Sequence, residues 1–509
     1  MDCPRTAFLL AALAACSGGT RAALPPSAPR PNLVLFLADD LGWQDTSVPF
    51  HVEPTPFNRL YRTPAMERLA KTGVKFTQAY ACTVCSPSRI SLMTGLNAAR
   101  HRVTNWTLRK DTATDAPHPF LTMPDWNVNG LSPVPGIPRT VHAKPLPALL
   151  REAGYRTIHI GKAHFGAVGT PGEDPRALGF DVNVAGHAAG GPGSYLGTQN
   201  FSGAWRRADR IWDVPGLEKY HGQDIFLTEA LTLEAIREVE RAIDDGVPFF
   251  LYLAHYAVHV PFAEDRRFIG RYREMGLHPK EAMYAALVEG LDKSLGDILD
   301  LLDRRGLAGR TAVFFMSDNG GLSAHERGGE PHTHNRPLCS GKGSAREGGI
   351  RVPMIARWPG ATPAGVSCAA PVLIEDFFPT ILEIAGVEGG TAKTGPIDGR
   401  SFTTFLRDPG APAGDRPLFW HFPNHWGPKG PGIGPSSTVR QGDWKLIYYH
   451  ADRSMELFNL REDLGETRNL AEERPEVRDR LARLLRDHLA AVKAQMPRDR
   501  KSGEPVPLP

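Results

Sequence analysis

The chain reads as an α/β protein: a large, mainly parallel sheet flanked by helices, followed by a smaller C-terminal subdomain of antiparallel sheet plus helix. Three observations predict this. Short, continuously apolar runs alternate with helical patterns between residues 32 and 385, the signature of βα units whose strands are buried on both faces. Reactive side chains follow four of those runs directly. Near Pro417 the texture changes to short β-rich runs with polar breaks.

The predicted strands are residues 32–38 (NLVLFLA), 157–160 (TIHI), 248–254 (PFFLYLA), 312–316 (AVFFM) and 353–357 (PMIAR), all assigned to the parallel sheet. Helical patterns cover residues 63–72, 146–153, 228–244, 281–304 and 374–385. In the fourth, Met283, Leu287, Leu291, Leu295, Ile298 and Leu302 recur at spacings of three or four, an apolar stripe facing a core. Runs at PLFWHF, SSTVRQG, DWKLIYYH and MELFNL predict the antiparallel sheet, and a helix is expected from about residue 475 to 494. The SGEPVPLP tail is expected to fray. The organisation predicted is residues 1–30 as a signal and tether, 31–415 as a catalytic domain and 416–509 as the C-terminal subdomain.

At 509 residues the chain is too long for one small core. With 59 Lys plus Arg against 56 Asp plus Glu, its net charge of +3 is too balanced for a surface built around nucleic acid. The 41% hydrophobic content excludes a disordered chain. The N-terminus has Arg5 and then an apolar run from Ala7 to Ala15, too short to span a bilayer and suited to a secretory signal. Leu13-Ala14-Ala15-Cys16 resembles a bacterial lipobox, which makes Cys16 a candidate lipidation site. The expected location is therefore periplasmic, as an outer-membrane lipoprotein touching membrane only through that anchor. The alternative is a plain cleaved signal. Four further cysteines, at 82, 85, 339 and 368, form no zinc pattern, and their pairing is left open.

The chemistry gathers at strand ends. The first run leads into Asp39-Asp40, the second into Lys162-Ala163-His164, the third into His255 and His259, and the fourth into Asp318-Asn319. Ligands of open α/β sheets bind outside the carboxyl ends of the strands, so these groups converge on one edge. Asp39, Asp40, Asp318 and Asn319 offer only oxygen, a set that selects a hard cation, Ca²⁺ with Mg²⁺ as the alternative. His255 reads as a polar core residue.

Residues 85–95, Cys-Ser-Pro-Ser-Arg-Ile-Ser-Leu-Met-Thr-Gly, resemble the signature of the type I, formylglycine-dependent sulfatases of the alkaline phosphatase superfamily, and in particular of secreted bacterial glycan sulfatases. One departure is Leu96, where many relatives carry Arg. Matches at the other strand ends, at Gly341-Lys342-Gly343, at residues 347–353 and at 442–460 extend the resemblance over most of residues 32–470. It implies an alkaline-phosphatase-like fold and oxidation of Cys85 to formylglycine by a formylglycine-generating enzyme. Asp39, Asp40, Asp318 and Asn319, with the formylglycine itself, would hold the metal. Arg89 would hold the formylglycine, Lys162 and Lys342 the sulfate; His259 would protonate the leaving alcohol and His164 take the proton from the aldehyde hydrate. The implied activity is hydrolysis of sulfate esters on a galactose- or N-acetylgalactosamine-type polysaccharide. A phosphate or phosphonate ester hydrolase, and a catalytically silent sulfoglycan-binding lipoprotein, are the alternatives.

The stretch from His325 to Asn335 is dense in His and Glu. It suits either a transition-metal site or, since it leads straight into Lys342, a substrate-facing loop; the second reading makes His334 and Asn335 candidate substrate contacts. His221, Trp106, Trp126, His425 and Trp426 are candidates for lining a sugar subsite.

Overall fold

The first predicted strand shows why its apolar run is unbroken. In β1 (Asn32–Ala38) every residue is buried: Val34, Phe36 and Ala38 enter the core on one face, Leu33, Leu35 and Leu37 the core on the other. Successive side chains of a strand point to opposite faces, so a strand covered on both sides keeps few polar positions. The computed structural model describes residue 1 and residues 30–206, 209–387, 389–390 and 394–509. The expected signal and Cys16 lie outside the described residues.

The main sheet contains β1, β2 (Val74–Tyr80), β3 (Arg156–Gly161), β4 (Val182–Val184), β5 (Phe249–Ala254), β6 (Thr311–Ser317), β7 (Arg351–Arg357) and β8 (Val366–Cys368), in the order β8-β2-β7-β6-β1-β5-β3-β4. A short strand at Val372–Leu373 also pairs with β2. The strands from β6 to β4 are parallel, as expected. The run at residues 353–357 departs from expectation: β7 is antiparallel to both β6 and β2. No crossover helix returns the chain to the opposite edge after β6. The loop from Asp318 stays at the carboxyl edge, where the Gly320 amide donates to the Gly349 carbonyl (3.0 Å), so the next strand must run back. Strand β2 escaped the sequence reading because VKFTQAY has no continuous apolar run.

Helices α1 (Pro64–Thr72), α2 (Cys85–Thr94), α3 (Leu146–Glu152), α4 (Leu227–Asp244), α5 (Pro279–Arg304) and α6 (Phe377–Ile384) cover both faces. Met66 and Leu69 of α1 pack with α4 and α5 on one; Ile90 and Met93 of α2 pack with α3 and α6 on the other. The stripe on α5 is core: Leu287, Leu291, Leu295, Ile298 and Leu302 are buried, while Met283 is partly covered. Burying each leucine contributes on the order of 2 kcal/mol.

The C-terminal sheet is a four-stranded antiparallel meander of β9 (Leu418–Phe422), β10 (Ser436–Gln441), β11 (Trp444–Tyr449) and β12 (Met455–Asn459). Helix α7 (Pro475–Ala491) covers it through Leu481, Leu485 and Leu489. The tail does not fray. Arg498–Asp499 pairs with Leu121–Thr122, Val506 is buried in this core, and the Tyr448 hydroxyl donates to the Pro507 carbonyl at 2.9 Å. Apolar Val506 between two conformationally fixed prolines gives the tail something to dock, which its polar start concealed.

A buried ionic cluster ties this sheet to the loop before β7. The Lys445 ammonium lies 3.0 Å from Glu347 and 2.9 Å from Glu466, all with fully buried side chains. The Tyr80 hydroxyl donates to Glu347 at 2.8 Å, and Arg351 lies 3.3 Å from the same carboxylate. Breaking one partner of such a set costs about 3–5 kcal/mol because it strands a charge away from water. Residues 31–509 thus pack as one unit. Cys82, Cys85, Cys339 and Cys368 are free thiols. Among the described residues no helix is long and apolar enough to cross a membrane.

Candidate active site

Strands β6, β1, β5 and β3 are neighbours and parallel, so their carboxyl ends deliver side chains to one place. Asp39 and Asp40 follow β1, Asp318 and Asn319 follow β6, Lys162 and His164 follow β3, and His259 follows β5. Carboxylate oxygens of Asp39, Asp40 and Asp318 all lie within 4.8 Å of one another. Asp40 and His164 both hold left-handed backbone conformations (φ 62° and 55°), sparsely populated states that the surrounding packing must enforce.

Helix α2 supplies the remaining groups. Cys85 is its first residue and Arg89 lies one turn later, so both present the same face to the sheet edge. Arg89 donates from Nε to Asp318 Oδ2 (2.9 Å), places a terminal nitrogen 2.8 Å from the same oxygen, and donates from Nη1 to the Lys162 carbonyl (2.8 Å). Lys162 Nζ reaches Asp39 Oδ2 at 2.6 Å, and Lys342 Nζ reaches Asp40 Oδ1 at 2.7 Å and Cys85 Sγ at 3.8 Å. Asn319 Nδ2 donates to Asp40 Oδ1 at 2.8 Å.

Burial, then Asp318 beside it, pushes the Asp39 carboxyl well above its usual range. Burial acts the same way on Asp40, but Lys342, His259 and Lys162 outweigh it and hold that carboxyl low. For Lys342 burial is opposed by Asp40, which keeps the ammonium charged. Burial raises the Cys85 thiol despite the two lysines. Both histidines are pushed well below the ordinary range, His164 by burial and then Lys162, His259 by burial and then Lys342. His164 Nε2 donates to the Thr107 carbonyl (2.8 Å), leaving Nδ1 as an unpartnered acceptor. His259 Nδ1 donates to the Val260 carbonyl (2.7 Å), leaving Nε2 3.6 Å from Asp40 Oδ2.

The donor set fits a divalent cation. Asp39 Oδ1, Asp40 Oδ2 and Asn319 Oδ1 are buried acceptors without a hydrogen-bond partner, and buried polar atoms rarely stay so. Oxygen-only ligation suits Ca²⁺ or Mg²⁺ chemistry rather than zinc.

A cavity of about 210 Å³ opens over this cluster. Cys85, His164, His259 and Lys342 line one part of it; Trp106, Trp212, Trp426 and His325, with Gly190 and Val260, are among the other lining residues. The loop at residues 190–191 must be glycine: a Cβ on Gly190 would lie 2.3 Å from His164 Cε1, and one on Gly191 2.9 Å from His259 Nδ1.

All ten catalytic and metal candidates therefore meet at one edge, while the three substrate candidates do not. His334 lies outside the cavity, its ring bonded to Ser323 Oγ (3.1 Å) and the Gly328 carbonyl (2.7 Å). Asn335 donates to the Gly321 and Ser340 carbonyls, so both residues shape the 321–341 loop instead of facing substrate. His221 is exposed against Phe201. Trp126 is core, and His425 binds the Pro117 carbonyl. His255 bonds to Ser294 Oγ (2.8 Å) behind the site. The groups that could hold a metal ion among the described residues are drawn from Asp39, Asp40, Asp318, His259 and Cys85, with none from the His/Glu loop. That loop is pinned by buried Arg327, 3.1 Å from Asp45 and 2.7 Å from Glu281. The sequence reading missed Trp212 and Gly190, and of the loop it expected to face substrate only His325 lines the cavity; the run Ala-Ala-Gly-Gly-Pro-Gly at 188–193 was the one local signal of close packing.

Similarity to known proteins agrees with this geometry. The sulfatase family profile matches residues 31–387, and that of the N-sulphoglucosamine sulphohydrolase C-terminal region matches residues 342–495. A sulfatase of Formosa agariphila is 32% identical over 494 residues, covering 88% of this chain and 85% of that protein. The N-acetylgalactosamine-6-sulfatase of Mus musculus is 32% identical over 411 residues, covering 78% and 70%. The solved structure of Ps i-CgsB in complex with k-i-k-neocarrahexaose has a TM-score of 0.70 at 25% identity, covering 90% and 93%. With a formylglycine-type signature at residue 85, an oxygen-rich cluster beneath it and a profile match over more than half its length, the chain belongs to the sulfatase family, whose members hydrolyse sulfuric esters and depend on a divalent metal and formylglycine.

Proposed function

We propose that this sulfatase removes sulfate from a galactose- or N-acetylgalactosamine-type residue of a glycan, using Ca²⁺ and a formylglycine made from Cys85 by a formylglycine-generating enzyme. We also assign it to the periplasm, exported by the N-terminal signal and held to the outer membrane through lipidated Cys16. The observation that carries the substrate reading is the cavity of about 210 Å³, which three tryptophans line together with Cys85. Drug-sized pockets run to about 300–1,000 Å³, so this one suits a single ring, and flat indoles suit the apolar face of a sugar. The similarity to an N-acetylgalactosamine-6-sulfatase points to the same sugar class.

Each residue has a role that its geometry supports. Asp39, Asp40, Asp318 and Asn319 would hold the cation, which supplies Lewis acidity and neutralises sulfate charge. Position 85, as the aldehyde hydrate, would supply one hydroxyl for attack on sulfur, displacing the alcohol, and a second whose deprotonation would expel sulfate as the aldehyde re-forms. Arg89 fixes Asp318 from the same helix face that carries position 85. Lys162 and Lys342 turn from Asp39 and Asp40 toward sulfate oxygens as point charges. His259 is neutral when alone; a seated sulfate ester raises its proton affinity, so the proton for the leaving alcohol is held at Nε2 when substrate is present. His164 accepts at Nδ1, its unpartnered nitrogen.

The test combines mass and turnover. In protein from a host with the maturing enzyme, the tryptic peptide bearing residue 85 should be lighter by about 18 Da, the exchange of H₂S for O that makes the nucleophile. Among sulfated mono- and disaccharides, galactose-type sugars should be desulfated fastest. An unmodified thiol, or preference for aryl phosphate over aryl sulfate by orders of magnitude, would overturn the proposal.

A further inference from the structure

A second cavity, of about 790 Å³, is lined by the same chain segments that line the first. The two share their walls. Gly190 lines the small cavity and Gly193 the large one; Val260 lines the small and Pro261 the large. Tyr195, on the large side, donates its hydroxyl to the His259 carbonyl at 2.8 Å. Between them the Arg206 guanidinium is sandwiched, 4.9 Å from the ring of Trp205 and 4.6 Å from that of Trp212. Trp205 faces the large cavity and Trp212 the small one.

We propose that the large cavity binds the sugar residues that continue from the sulfated one, with Trp205 as their stacking platform, so that the enzyme acts on oligosaccharides in preference to free monosaccharides. This rests on the sulfatase reading above and extends it. Trp205 is 61% exposed, yet its indole nitrogen donates to the Gly193 carbonyl at 2.7 Å, so a broad apolar face is held rigid at the wall. Phe226 and Phe262 add apolar surface, and Ser194 and Gln199 add hydroxyl and amide groups. The charges around it are already paired: Arg267 lies 2.7 Å from Asp265 and 3.2 Å from Glu229, and Arg266 3.1 Å from Asp224. Glu264, also in the lining, pairs with Arg273 outside it. A lining with aromatic faces, many hydrogen-bonding groups and four carboxylates against two guanidiniums recognises neutral hydroxylated rings, not a second sulfate and not a lipid tail.

The test uses the matured enzyme, 4-nitrophenyl sulfate, the sulfated monosaccharide it turns over fastest, and a tetrasaccharide built on that sugar. Wild type should show kcat/KM at least about tenfold higher for the tetrasaccharide than for the monosaccharide. Trp205→Ala should remove that advantage through KM, as truncation of a central aromatic contact does, and leave 4-nitrophenyl sulfate turnover within twofold. Thr198→Trp fills the rim of the cavity from an exposed position and should do the same without disturbing packing. No preference for the longer substrate in wild type, or no loss in either variant, would overturn the inference. Fluorescence quenching by the unsulfated tetrasaccharide separates the two readings. Quenching lost in Trp205→Ala supports the sugar site even if 4-nitrophenyl sulfate is not hydrolysed; its absence in wild type refutes the site even if hydrolysis is rapid.

Discussion

Gly190→Ala should disable the enzyme while leaving it folded. The new methyl would sit 2.3 Å from Cε1, 2.7 Å from Nδ1 and 2.8 Å from Nε2 of His164. Ordinary carbon contacts are about 3.5–4.0 Å, so the ring must retreat by about 1 Å. It has little freedom to do so: Nε2 is bonded to the Thr107 carbonyl at 2.8 Å, and the backbone amide donates to the His187 carbonyl at 3.2 Å. Overpacking of this kind costs about 1–3 kcal/mol of stability, which a domain of this size survives. Displacing a reacting group by about 1 Å costs about 100-fold in rate. The assay is kcat for 4-nitrophenyl sulfate with a thermal melt alongside. Gly270→Ala, where a Cβ meets nothing within 4 Å, is the control and should match wild type. In the double variant with His164→Ala, the glycine change should add no further loss, because both act through one ring. A Gly190→Ala enzyme with kcat within twofold of wild type would refute the assignment of His164 to proton transfer.

Lys342→Met should lower kcat/KM by about 100- to 1,000-fold, since it deletes a preorganised cation beside position 85, and steady-state kinetics on aryl sulfate will show it. Dialysis against a chelator should lower the melting temperature, and Ca²⁺ should restore it at lower concentration than Mg²⁺; a melt indifferent to chelation would argue against a cation at the three aspartates. Glu375 is buried, and burial with Asp376 beside it pushes its carboxyl up to about 7. The folded state therefore holds that proton more tightly than the unfolded chain. The resulting stability is fully present below the ordinary carboxyl range, near pH 4.5, and is lost as pH rises to about 7, for a total of about 3 kcal/mol. Glu375→Gln should raise stability in urea unfolding at pH 8 and leave it nearly unchanged at pH 4.5; equal effects at both would contradict the shift.

Legibility in the sequence followed physical cause. The β1, β3, β5 and β6 strands were readable because burial on both faces leaves few polar positions, and their end residues were readable because parallel strands share one functional edge. Cys85 and Arg89 were readable as part of a contiguous motif. What lay between Asp318 and Lys342 was not: His325, His334 and Asn335 are chemically equivalent candidates in a loop without periodicity, and only folding decides that His325 lines the cavity while His334 and Asn335 bind backbone carbonyls. Strand β7 was visible but its direction was not, because direction depends on where the preceding loop ends. Trp212 carries no local signal, since its neighbours in space come from other elements.

The buried Lys445, Glu347 and Glu466 cluster has a practical corollary for engineering. Glu347 stands five positions after Lys342, so the loop that presents the Lys342 ammonium is bolted to the C-terminal meander by groups that cannot be exposed singly. Chimaeras that exchange the region after residue 415 with that of a homologue would carry a mismatched bolt, and their loss of turnover would be misread as altered specificity. A junction placed ahead of Lys342, so that loop and meander travel together, keeps the fastening whole.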